Sequence, residues 1–64
     1  MDPCETYRLF CRALLEENAD DAREHYANLR AWIKRGGFEP LAFSTSPLAR
    51  KQFFTFNPRT GRLE

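Results

Sequence analysis

Histidine occurs once in this chain, as His25, and that scarcity removes much of the chemistry a small protein could carry. A metal site needs further ligands at suitable spacing, and neither a C-x-x-C nor an H-x₃-H pattern accompanies it. His25 is therefore read as a structural or surface side chain. Glycine is also scarce, with three residues, and no Gly-x-Gly-x-x-Gly fingerprint, phosphate-binding loop or nucleophile elbow is present. No catalytic residue, metal ligand, cofactor or small-molecule ligand is expected, and the chain is read as a non-enzyme. A pairing of Cys11 with His25 would need an electropositive, partly exposed setting to make a thiolate, and the sequence supplies none. The acids Glu16, Glu17, Asp20, Asp21 and Glu24 lack the spaced oxygens, Gly and terminal Glu of a calcium loop. They read as a solvated turn with helix-capping carboxylates.

Cysteine is limited to Cys4 and Cys11. On one helix their Cα atoms would lie about 10.5 Å apart at 1.5 Å per residue. A disulfide needs less than about 7 Å, so both are expected to be reduced, and buried. No apolar run approaches the roughly 20 residues of a membrane span. The opening "MDPCETYRLF" lacks the basic-then-apolar pattern of a secretion signal, so a cytoplasmic, non-membrane protein is expected. Neither sign of charge is in excess. Ten bases and nine acids give a net +1, too little to draw the chain to a polyanion as a whole. The cations are concentrated late, since Arg50, Lys51, Arg59 and Arg62 face only Glu39 and Glu64 after residue 35.

Aromatic residues, by contrast, are plentiful: six Phe, two Tyr and one Trp in 64 residues. A chain of this length is expected to form one domain over residues 1–64 and to bury only about 60% of its unfolded surface. Large rings supply the buried area that such a core needs. Asp2, Pro3 and Glu5 form a helix start, with an N-cap, a proline at the first position and a capping-box acid. Cys4, Tyr7, Phe10, Cys11, Leu14 and Leu15 then line one face of a helix over about residues 3–18. A second helix, over about 20–35, carries Ala22, Tyr26, Leu29, Trp32 and Ile33. Asn18 can end the first helix or cap another, Asp20 or Asp21 suits the start of the second, and Lys34, Arg35 and Gly36 suit its end. The two stripes stay in phase across residues 18–22. One long helix in a dimer is therefore the alternative to an antiparallel two-helix hairpin. The acidic, Asn-containing junction favours the hairpin.

After "GGFEP", where Phe38 is expected to fold back onto the helices, "LAFSTS" reads as extended. "SPLARKQ" offers Ser46 and Pro47 as the start of a single helical turn. "QFFTF" is aromatic with a β-branched Thr and reads as a strand, with Phe54 and Phe56 inward and Phe53 and Thr55 outward. "NPRTG" supplies turn chemistry, and "RLE" a return strand. The expected fold is α+β: a helical hairpin with a short C-terminal β-hairpin, over about 52–64, packed on it. The expected core is Tyr7, Phe10, Cys11, Leu14, Leu15, Ala22, Tyr26, Leu29, Ile33, Phe38, Phe54 and Phe56.

The functional expectation is a small non-catalytic protein-interaction module, with a homodimer as one form of it, and with Trp32, Lys51, Phe53, Arg59 and Arg62 as candidate partner-binding residues. The alternative is a nucleic-acid-binding accessory protein that adds Arg50 to this basic, Phe-rich tail. Over six residues "KQFFTF" resembles the aromatic strands of RNA-recognition and cold-shock domains, whose rings stack on bases. It departs from them at Gln52, where that pattern has Gly, and at Phe54, where it has a small residue.

Overall fold

Asp2 opens the first helix, α1 (Pro3–Leu15), as its N-cap. Its Oδ1 accepts hydrogen bonds from the backbone N–H groups of Cys4 at 3.0 Å and Glu5 at 3.3 Å. These are two of the donors a helix start leaves without intrahelical partners. In the computed structural model, which describes residues 2–63, α1 ends at Leu15 rather than near residue 18. The Glu17 N–H donates to the Leu14 carbonyl and the Asn18 N–H to the Ala13 carbonyl. That is a Schellman termination, with Glu17 in the left-handed position at φ 56°. Asn18 then caps α2 (Ala19–Lys34), its Oδ1 accepting from the Asp21 N–H at 3.2 Å. A continuous helix is thus excluded by two adjacent residues, one ending α1 and one starting α2. The same termination closes α2. Gly36 at φ 91° donates to the Ile33 carbonyl, and Gly37 donates to the Trp32 carbonyl.

The two helices pack against each other, and the rest of the chain covers their joint face. Here the structure corrects the sequence reading. "LAFSTS" is not extended; α3 (Leu41–Thr45) occupies it. The turn expected after Ser46 is a longer helix, α4 (Pro47–Phe54), which includes most of the expected strand "QFFTF". The β-element is confined to β1 (Phe56–Asn57) and β2 (Arg62–Leu63), paired antiparallel with Phe56 opposite Leu63 and Asn57 opposite Arg62. Glu64, expected to end the return strand, lies outside the described residues. The chain is therefore mostly helical with a small two-stranded sheet, a coarse α+β architecture.

The buried apolar residues are Phe10, Ala13, Ala22, Leu29, Phe43, Phe53 and Phe56. Aromatic rings form its centre. Phe10 meets Phe53 at 5.3 Å and Phe56 at 5.0 Å between centroids, both edge-on. Tyr26 lies 5.0 Å from Phe53 and 4.8 Å from Phe56. Tyr7 meets Phe43 edge-on at 5.1 Å. Edge-to-face rings at such distances contribute attraction beyond the area they bury. Three expected core residues lie outside it: Cys11 is exposed, Leu15 is 85% exposed and Phe38 is 67% exposed, while Tyr7, Leu14, Tyr26, Ile33 and Phe54 are half-buried and pack against it. Cys4 is exposed as well, so neither thiol is in the expected buried setting; both are free. Cys11 and Leu15 lie on the flank of α1, beyond the seam with α2. Phe43 and Phe53, neither among the expected core residues, are buried instead.

Candidate functional site

The five predicted surface residues do not converge. Phe53 is completely buried, which corrects its expected outward position. The reason is the change of period. In a strand Phe53 and Phe54 would point to opposite faces, with Phe54 inward. In α4 they are about 100° apart, and Phe53 takes the inward position. Lys51 is exposed on α4 and borders a cleft beside Phe54. Arg62 borders a different groove, shared with Leu14, Glu17 and Asn18 near the α1–α2 junction. Arg59 sits in the β1–β2 turn. Trp32 is half-buried near the end of α2.

Arg23 holds the turn against α2, and nothing in the sequence singled it out. Its Nε donates to the Pro58 carbonyl at 2.6 Å, and an Nη donates to the Arg59 carbonyl at 3.4 Å. Its other Nη meets Asp20 Oδ1 at 2.8 Å. A long-range clamp of this kind leaves no periodic signal. Gly61, in the left-handed region at φ 72°, lies so close to α2 that a Cβ there would stand 2.6 Å from the Ala19 Cβ. The turn is therefore fitted closely to the start of α2.

Two surfaces are built from side chains that the core does not absorb. The first is an apolar end, where α2 finishes and α1 begins. The Trp32 indole N–H donates to the Phe38 carbonyl at 3.0 Å, and the two rings meet edge-on at 5.8 Å. A Cβ on Gly37 would run into the Trp32 ring, so glycine is required for the indole to lie against the connector. Three residues beyond Phe38, the Leu41 N–H donates to the Cys4 Sγ at 3.3 Å, which ties the connector to the first turn of α1. Phe38 and Leu41 are each 67% exposed.

The second is a basic face around Phe54. The Arg50 guanidinium lies 4.9 Å from the Phe54 centroid and that of Arg30 lies 5.3 Å from it. Arg30 also lies 5.9 Å from the Tyr26 ring. Arg50 Nε pairs with Glu39 at 3.2 Å. Arg30 and Lys51 meet no carboxylate among the described residues. The cleft next to the ring is lined by Phe43, Pro47, Arg50, Lys51, Phe54 and Thr55.

Titratable groups offer little chemistry. Burial pushes the Tyr7 phenol up to about 12, helped by a hydrogen bond with the Cys11 thiol and by the proximity of that group's charge. Such a tyrosine stays protonated and is a poor base. Among the described residues no three His, Cys, Asp or Glu gather into a ligand set, and no helix is long and apolar enough to cross a membrane. Comparison with known proteins finds no family model, curated protein or solved structure that matches the chain.

Proposed function

We propose that the protein is a small, non-catalytic, cytoplasmic interaction module that pairs with a second copy of itself through the end carrying Trp32, Phe38, Leu41 and Cys4. The observation that carries this reading is the exposure of Phe38 and Leu41, each 67%, on a connector held in place by Trp32 and Cys4. Large apolar side chains presented by a fixed backbone lose water at little ordering cost when a partner covers them. A second copy suits the net charge. The net charge of +1 gives almost no repulsion between copies.

The nucleic-acid alternative rested on Phe53 as a stacking ring, and a fully buried ring offers no face to a base. Its cations are divided among separate surfaces, as Lys51 and Arg62 border different clefts.

Sedimentation equilibrium tests the pairing. The wild-type chain is expected to show a reversible dimer, and Leu41→Glu to sediment as a folded monomer. A wild-type chain that remains monomeric at every concentration overturns the proposal.

A further inference from the structure

We infer that the Phe54 face is a separate binding site for an acidic peptide segment, one that offers carboxylates next to an apolar side chain. This goes beyond self-pairing and uses a different surface. The central feature is Phe54, with one guanidinium 4.9 Å and another 5.3 Å from its centroid. The ring orients both groups and shields part of each from water. A guanidinium held this way spends less freedom on binding, and its planar fork matches a carboxylate bidentately. Arg50 already presents one edge to Glu39, as its Nε lies 3.2 Å from Oε2. Arg30 has no carboxylate among the described residues, and neither does Lys51, which borders the same cleft. The cations on this face therefore outnumber the acids, and the complementary charge has to come from outside. Arg50 and Lys51 border a cleft walled by Phe43, Pro47 and Phe54, which suits an apolar side chain, and Arg30 lies over the Phe54 ring that forms one wall.

A peptide fits this face better than a nucleic acid does. Stacking of a base requires an open aromatic face, whereas an apolar side chain needs only the cleft beside the Phe54 ring. The two guanidiniums lie near it, Phe53 meets it edge-on at 5.2 Å, and Phe43 lies at 6.1 Å. A polyanion also gains affinity from many phosphate contacts, and three cations supply few.

The test is an NMR titration of the full 64-residue chain with a blocked peptide of alternating Asp and Phe. A matched Asn/Phe peptide and oligothymidylate serve as competing probes. The Asp/Phe peptide is expected to shift the Arg30 and Arg50 Nε–H signals and the Phe54 ring, with an affinity that falls as salt is added. Arg30→Gln should weaken it about tenfold, the loss of one charge-assisted contact. Lys51→Gln, at an exposed site with no ring to hold the ammonium, should weaken it by less, and the amide spectrum of each variant reports its fold. Equal binding of the Asn/Phe peptide, tighter binding of oligothymidylate, or no shift with any probe overturns the site. Loss of dimerisation in Leu41→Glu leaves this titration unaffected, so the two proposals fail separately.

Discussion

At the scale of single residues, the placement of Tyr7 has the clearest consequence for pH. Its ring packs edge-on against Phe43 at 5.1 Å and Phe53 at 6.3 Å, and its phenol meets the Cys11 thiol. Burial comes first among the causes that raise its pKa from 10.0 to about 12, with the Cys11 hydrogen bond and charge after it. Between those two values the folded chain keeps a proton that the unfolded chain has released. Stability from this group is therefore complete below pH about 10 and is lost as pH rises through about 12. Site-specific labelling of the Tyr7 Cζ carbon and NMR titration should show the raised value. Cys11→Ala should lower it while leaving it above the ordinary value, because burial remains. A Tyr7 that titrates at its ordinary value in the folded protein would mean that it does not pack on Phe43 and Phe53. The sequence placed Tyr7 on the inward face with Cys11 four residues on, one helical turn away, but gave no sign that the thiol would be exposed. Cys11, read as a core residue, is exposed and acts on the edge of the core instead.

At the scale of elements, the break between α1 and α2 is the feature on which the hairpin depends, and two substitutions test it in opposite directions. Glu17 occupies a left-handed position that glycine normally fills, at φ 56°. A side chain there costs about 1–2 kcal/mol, and glycine gives back about 0.5–1 kcal/mol through its freer unfolded state. Glu17→Gly should therefore raise the unfolding free energy by about 0.5 kcal/mol. Asn18→Ala removes the cap on Asp21 and should lower it by about 1 kcal/mol. Urea denaturation of the two variants measures both, and a destabilising Glu17→Gly would contradict the left-handed turn. The junction was legible because Asn18 is a capping residue next to acids, whereas the strain at Glu17 was not, since Glu shows no preference for that conformation. The start of α4 was legible in the same way, through Ser46 and Pro47, but its length was not. "QFFTF" has strand-like composition, and aromatic residues are only slightly disfavoured in helices. The choice is made by tertiary packing: helical spacing sends Phe53 into the space between Phe10, Phe43 and Tyr26, which no local signal encodes. The candidate site moved with that choice, because the ring left at the surface is Phe54, and its partner Arg30 comes from α2, over twenty residues earlier.

At the scale of the whole molecule, the radius of gyration is 10.7 Å. A compact chain of this length is expected to show about 2.2·N^0.38 Å, which gives the same value. The large apolar side chains left outside, Leu15, Phe38, Leu41 and Leu48 among them, are therefore not the result of loose folding. They remain exposed because a 64-residue body has more surface than its polar residues can cover. A scattered leucine needs no partner, but the fixed pair Phe38 and Leu41 at one end makes a patch. If two copies cover that patch, association adds to the stability of the folded state by mass action, and unfolding becomes dependent on protein concentration. The thermal midpoint of the wild-type chain should therefore rise steadily with concentration. Leu41→Glu should hold the same midpoint at every concentration, matching the dilute wild type, since Leu41 is exposed and adds little to the monomer's core. Arg30→Gln should keep the wild-type slope, because it lies on the Phe54 face and not at the apolar end. Calorimetry over a dilution series separates these cases. A wild-type midpoint that does not move with concentration would leave the apolar end without a second copy to cover it, while a slope that persists in Leu41→Glu would place the pairing surface elsewhere on the molecule.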